Sequence, residues 1–233
     1  MINSALDIRH WHDELARRGR VQIESFLQPE AAEFLSRLLR DELAWTLAYR
    51  RDGVSRVMPH AELAALGAEA ERELFASLAR EATGRYGFVY DSYMMVTAYK
   101  EGRDPGLPLH RVTEFFNTPD YLGFIRVLSD DQRLRRVSAQ ATRYRPGQFL
   151  KFHDDREDGE GRQYAYVLNL TERWEADWGG LLQFLDEQGR VVETLMPRYN
   201  TLSLFRVPAP HLVSLVAPWA QAPRLAITGW WQT

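Results

Sequence analysis

His153 and Asp155 stand two residues apart at the end of the run Tyr144-Arg145-Pro146-Gly147-Gln148-Phe149-Leu150-Lys151-Phe152-His153-Asp154-Asp155. The run reads as a short strand, a turn at Pro146-Gly147, and a second strand carrying both residues. Side chains alternate across a strand, so i and i+2 project from one face. His153 and Asp155 are therefore expected to converge, with Asp154 turned away. An imidazole and a carboxylate need a third ligand to hold a first-row metal, and His211 lies further along the chain. Two imidazoles and one carboxylate on one face of an octahedron leave coordination positions open, which suits a reactive ferrous ion.

His-x-Asp alone is a common chance triplet, and a single histidine is more often structural than a ligand. Arg224 adds a second signal. It heads an otherwise apolar run of Leu225, Ala226, Ile227, Trp230 and Trp231, where a buried guanidinium without an anion would be costly. Its planar fork pairs best with a carboxylate through two bonds. A metal and a buried arginine together suggest a ligand that chelates at one end and carries a carboxylate at the other, the shape of 2-oxoglutarate.

The chain that must position these groups has 233 residues, 45% hydrophobic and 26% charged, an ordinary globular balance with material for one core. The net charge of −3 gives no case for nucleic acid or an acidic membrane surface. Lysine is confined to Lys100 and Lys151, so arginine carries nearly all the positive charge. With no cysteine, disulfides, thiolate metal sites and cysteine nucleophiles are excluded, leaving His, Asp and Glu as the strong ligands. No signal-peptide pattern or membrane-length apolar run is visible, and a cytoplasmic protein is expected.

The first part reads as mainly helical. A helix is expected near Trp11–Arg18, then an extended piece at Val21–Ile23. A helix opened by Pro29 should continue to about Tyr49 on Phe34, Leu35, Leu38, Leu39, Leu43 and Leu47. A break follows at 50–59, and a second amphipathic helix runs from Ala61 to about Ala82. From about Tyr86 the character changes. Tyr90–Tyr99 is β-prone, Lys100–Leu109 is a Gly/Pro loop, and Thr118-Pro119-Asp120 starts a short helix. Strand-like runs then follow at Val137–Tyr144, Phe149–Asp155, Tyr164–Thr171, Gly180–Asp186, Val191–Thr194, Thr201–Val207, His211–Ala217 and Leu225–Trp231. Short strands at this frequency argue for a sandwich or barrel, and helices before strands make the class α+β. In a jelly roll, inward side chains from such distant strands meet. His10 and His12 are expected to face solvent, and His60 and His110 lack partners at ligand spacing.

At this point a resemblance can be named. The pieces Tyr144 with Pro146-Gly147 before His153-Asp154-Asp155, Val167-Leu168-Asn169-Leu170, Trp178-Gly179-Gly180-Leu181-Leu182-Gln183-Phe184, Asn200–Phe205, His211-Leu212-Val213 and Arg224–Trp230 occur in order over roughly 137–231. This half resembles the 2-oxoglutarate- and Fe(II)-dependent oxygenases, and within them the prolyl-hydroxylase branch and its ribosomal prolyl hydroxylase-like group. The resemblance implies a double-stranded β-helix (jelly roll) with N-terminal supporting helices. It implies one oxygenase domain over 1–233, with 1–85 a mainly helical layer and 86–233 the core with the site. His153, Asp155 and His211 would be iron ligands. Arg224 and Tyr144 would bind 2-oxoglutarate, with Thr228 and Trp230 lining the pocket, and no catalytic residue beyond the metal centre is implied. Fe(II), 2-oxoglutarate and O2 are the implied cofactors, with ascorbate as an accessory. The implied substrate is a prolyl residue in a protein or peptide, ribosomal or translation-related, gripped by the loops 100–110 and 156–163.

One position departs from the pattern. Several relatives place a second cosubstrate-binding tyrosine just before Leu-Asn, where this chain has Val167. Either Tyr144 and Arg224 suffice, or Tyr164 reaches in. Two other functions compete. The same chemistry could act on a free amino acid or small metabolite, or the fold could be a cupin-like metal-binding module without activity.

Overall fold

The computed structural model describes all 233 residues. Helix α1 (Ile8–Arg18) starts where the Asp7 side chain accepts the His10 N–H and stops at Gly19, which takes a left-handed φ of 69°. Strand β1 (Arg20–Ile23) leads to helix α2 (Pro29–Asp41), with Pro29 in its first turn. The helix does not continue to Tyr49. Leu47 and Tyr49 lie instead on β2 (Thr46–Arg51), which forms a hairpin with β3 (Val54–Pro59). Asp52 and Gly53 close it with φ of 53° and 73°, and positive φ at both centres matches the twist of paired strands.

The single helix expected at 61–82 is two, α3 (His60–Ala65) and α4 (Ala68–Ala82), parted at Gly67 with φ of 81°. β4 (Phe88–Tyr93) takes only the first part of the β-prone stretch, and Met95–Lys100 forms helix α5, burying Met95 and Ala98. Helix α6 (Leu109–Phe116) begins where the expected loop ends. In α7 (Pro119–Ser129), Thr118 accepts the Tyr121 N–H. The remaining strands are β5 (Arg136–Val137), β6 (Gln140–Tyr144), β7 (Phe149–His153), β8 (Arg162–Asn169), β9 (Leu182–Leu185), β10 (Val191–Leu195), β11 (Thr201–Arg206), β12 (His211–Val213) and β13 (Arg224–Gln232).

All strand pairs are antiparallel. One arm runs β3-β2-β4-β6-β13-β8-β11-β1, and the other runs β7-β12-β9-β10. They join where Phe88 and Val89 of β4 pair with Leu150 and Phe149 of β7. The result is a jelly roll with helices outside the longer arm. The turn at Pro146-Gly147 is not a hairpin, since β6 pairs with β4 and β13 while β7 pairs with β4 and β12. With Gly147 at φ of 84°, it carries the chain from one arm to the other.

Both faces of the central strands of the long arm, β13, β8 and β11, are covered, whereas β3 at its edge is exposed. Tyr166, Leu168, Leu204, Ile227 and Trp231 pack with Leu15, Leu35, Phe116 and Ile125 of the helices in a cluster of 32 buried residues. The alternate residues face the interior, where Ala165, Leu182, Phe184 and Phe205 form one small group and Tyr144, Trp174, Trp178, Val213 and Val216 another. Two-sided burial makes β8 and β13 nearly continuous in apolar residues. Within the first 85 residues, α1 to α4 are joined by β1, β2 and β3, which extend the sheet.

Candidate metal centre

β12 lies beside β7 with His211 opposite His153, so the two imidazoles are cross-strand neighbours with ring centres 4.1 Å apart. Each ring is fixed by the carbonyl two residues before it. His153 Nδ1 is 2.9 Å from the Lys151 oxygen, and His211 Nδ1 is 2.7 Å from the Ala209 oxygen. A carbonyl only accepts, so both Nδ1 atoms carry the proton and both Nε2 lone pairs point inward. Asp155 completes the cluster, with Oδ1 3.5 Å from His153 Nε2 and Oδ2 3.6 Å from His211 Nε2. These gaps are too long for hydrogen bonds, yet they suit three donors sharing one ion at about 2 Å each. The three ligand atoms lie within 4.8 Å of one another.

The route to this convergence differs from the alternation expected of a strand. β7 ends at His153, and Asp155 takes a left-handed φ of 63°. Aspartate is among the few side chains that tolerate this conformation. Arg162 Nη1 holds it by donating to the Asp155 carbonyl at 3.2 Å. Asp154 is occupied instead by Arg156, whose Nε donates at 2.7 Å. Burial pushes the His211 imidazole down to about 4, assisted by His153. For Asp155 burial acts upward, but the adjacent imidazoles outweigh it and keep the carboxyl below its usual range. The His211 imidazole is thus neutral and Asp155 a carboxylate, and the triad presents two ring nitrogens and one carboxylate for coordination.

Arg224 lies opposite Tyr144 on the β13–β6 ladder and is 3% exposed. Its guanidinium carbon is 5.4 Å from the centre of the Tyr144 ring. Nη1 donates to the Gly180 carbonyl at 2.8 Å, while Nε is buried with no partner. Burial lowers its affinity for the proton, but a guanidinium stays charged. A buried cation left with one neutral acceptor fits an anion arriving from the cavity. The Trp178-Gly179-Gly180 corner makes room for it. A Cβ on Gly179 would lie 2.0 Å from the Leu215 oxygen, and one on Gly180 would lie 3.1 Å from Trp174 and Val216.

Metal triad and arginine open onto one cavity of about 530 Å³, which Tyr144, Thr228 and Trp230 also line. The Arg162 guanidinium sits 3.7 Å above the centre of the Trp230 ring. The structure adds an aromatic wall that the sequence reading missed, formed by Tyr86, Phe88 and Tyr90 of the β4 region. Its signal in the sequence is the alternation of Phe88 and Tyr90 with Asp91, which the β-prone composition continuing to Tyr99 obscures. Tyr164 does not reach in, since its hydroxyl donates to the Ser129 carbonyl at 3.2 Å on the helix side of the sheet. Arg156, Glu157 and Arg162 of the loop 156–163 line the cavity, whereas Asp104–Pro108 of the loop 100–110 border a different hollow beside Tyr93. His60, without a partner at ligand spacing in the sequence, lies 2.9 Å from the buried Asp91 carboxylate. His12 Nδ1 reaches the Leu128 carbonyl at 3.2 Å, and His110 Nε2 the Arg103 carbonyl at 2.7 Å.

Known proteins are similar to this chain in sequence and in fold. The family model of the 2OG-Fe(II) oxygenase superfamily matches residues 139–232. Prolyl 3-hydroxylase OGFOD1 of Mus musculus is 33% identical over 101 residues, covering 40% of this chain and 18% of that protein. The Xenopus laevis prolyl 3-hydroxylase OGFOD1 is 30% identical over 118 residues, covering 48% and 22%. The chain therefore matches only about a fifth of the length of these curated relatives. Among solved structures, a Trichoplax adhaerens prolyl hydroxylase in complex with a hypoxia inducible factor peptide fragment superposes with a TM-score of 0.64 at 17% identity, covering 97% of this chain and 88% of that one. A 2OG-Fe(II) oxygenase family oxidoreductase of Burkholderia pseudomallei gives 0.62 at 13% identity, covering 100% and 93%. The matched region, residues 139–232, holds both histidines, the aspartate and the arginine of the cavity.

Proposed function

We propose that the protein hydroxylates a prolyl residue of a protein or peptide, using Fe(II), 2-oxoglutarate and O2. The observation that carries this reading is one cavity containing both a His153–Asp155–His211 cluster and a buried Arg224 without a counter-ion. His153, Asp155 and His211 would hold Fe(II), and Arg224 with Tyr144 would receive the distal carboxylate of 2-oxoglutarate. The bound iron supplies the oxidising power, taken from O2 as 2-oxoglutarate is converted to succinate and CO2, that replaces a C–H bond by C–OH.

The chain's own residues do the placing. Asp155 contributes one negative charge and the imidazoles none, so a divalent ion there keeps a net positive charge. The Lys151 and Ala209 carbonyls hold the two rings in the metal-binding tautomer. Burial raises the Tyr144 hydroxyl far above its ordinary value, so it stays a proton donor toward a carboxylate. Leu182, Phe205 and Val213 on the cavity wall exclude water from the reacting atoms.

Support for a prolyl substrate comes from the prolyl hydroxylases among the relatives and from the walls of the cavity. Tyr86, Phe88 and Phe152 offer aromatic faces at the mouth, and Trp230 backed by Arg162 offers one beside Asp155. Such walls suit the apolar ring of proline in an extended segment, with the loop 156–163 contributing Arg156 and Glu157. Ribosomal and translation-related proteins are the first substrates to examine, and ascorbate the accessory reductant to include. The test is incubation of the purified protein with Fe(II), 2-oxoglutarate, 18O2 and proline-containing peptides. Succinate and one 18O on a prolyl residue are expected, both lost in Asp155→Ala. Absence of succinate, with and without peptides, would contradict the reading.

A further inference from the structure

Strand register brings a further residue to the cosubstrate end of the cavity. Arg224 of β13 pairs with Tyr144 of β6, and Tyr90 of β4 lies on the far side of Tyr144, its ring stacked there at 5.2 Å and 24°. Further along the same inner face, Gln140 of β6 pairs with Thr228 of β13, which pairs with Val167 of β8. Tyr90 spans these two rows, with its ring against Tyr144 and its hydroxyl against the Gln140 side chain. All of these residues line the one cavity, and Val167 contributes no polar atom to it.

Packing alone would not require a phenol here. Phe88, two residues earlier on the same face, fills the wall without a hydroxyl and lies 5.5 Å from the Tyr90 ring. Burial pushes Tyr90 up to about 12, so its oxygen keeps its proton and can donate. We infer that Tyr90 is a second phenolic donor to the keto-diacid that Arg224 and Tyr144 receive, delivered from β4 to the row where β8 offers only Val167. The inference rests on the proposed cosubstrate, and it assigns a binding role to a residue outside the region matched to the family.

The test measures equilibrium binding of 2-oxoglutarate to Mn(II)-loaded protein, with Mn(II) affinity and melting temperature followed separately. Tyr90→Phe keeps the ring and removes the donor. It should raise the 2-oxoglutarate Kd roughly tenfold, the loss of one hydrogen bond to a charged acceptor, and leave Mn(II) affinity unchanged. Adding Val167→Tyr to Tyr90→Phe should recover most of the loss, because it returns a phenol to the same row from the opposite wall. An unchanged Kd in Tyr90→Phe overturns the assignment, as does a loss accompanied by an equal loss of Mn(II) affinity. Wild-type protein that does not bind 2-oxoglutarate overturns the proposed function itself, an outcome distinct from a wild type that binds and a Tyr90→Phe variant that binds equally well.

Discussion

Asp155 has two properties that pull against each other. It is the carboxylate of the triad, and it holds a left-handed φ of 63° that a β-carbon disfavours. Asp155→Gly and Asp155→Ala should both abolish Co(II) binding, followed by its visible absorption. They should differ in the metal-free protein, where glycine accepts the backbone freely and alanine does not. The expected gap is about 1 kcal/mol in favour of glycine, read from denaturant midpoints. His211 gives a pH prediction. Its folded value of about 4 lies below the ordinary 6.5, so the unfolded chain takes up a proton first as pH falls. Metal-free protein should have this contribution in full above about pH 6.5 and lose it progressively toward pH 4, by up to about 3 kcal/mol. In His211→Gln, that part of the pH dependence of the urea midpoint should vanish.

Among the elements, β4 and β6 are aligned from behind by a carboxylate that never sees the cavity. Asp91 is fully buried and accepts from Arg143 Nε and Arg145 Nε at 2.8 Å each, from Gln148 Nε2 at 3.1 Å, and lies 2.9 Å from His60 Nε2. Burial acts to raise it, but the two guanidiniums and His60 prevail and hold it low. The same strands present Tyr90 and Tyr144 to the cavity on their other face. Asp91→Asn should therefore cost about 3 kcal/mol or more by leaving Arg143 without a counter-charge and Arg145 with only Glu71 at 4.0 Å, measured by chemical denaturation. Gly229→Ala should also destabilise by roughly 2 kcal/mol or more through overpacking, since its Cβ would lie 2.0 Å from the Ser138 oxygen. Elements were legible where a local signal was unopposed, as with Pro29 opening α2 or Thr118 capping α7. They were misread where two signals overlapped. Leu43 and Leu47 continued the helical spacing of α2, which hid the stronger hairpin signal of Asp52-Gly53. Val96 to Tyr99 favoured strand, but burial of Met95 and Ala98 made the segment helical.

For the whole molecule, the jelly roll converts distant sequence positions into one site, and that step was legible because each residue of the set sits in a short motif. His153, Asp155, His211 and Arg224 are brought together as the spacing and the resemblance implied. The aromatic wall was not legible, because no motif marks which strand of the N-terminal region closes the cavity. Nor was the detachment of the loop 100–110 from the site, which follows from α5 and α6 carrying it away. The account depends on metal and keto-diacid meeting in one cavity, and linked binding tests that most directly. The measurement is the 2-oxoglutarate Kd by calorimetry for metal-free protein, Mn(II)-loaded protein and Mn(II)-loaded Arg224→Leu. Tight binding should require both the metal and the arginine, with each loss weakening it by about tenfold or more. Binding that is equally strong without metal, or that survives Arg224→Leu intact, would contradict the account.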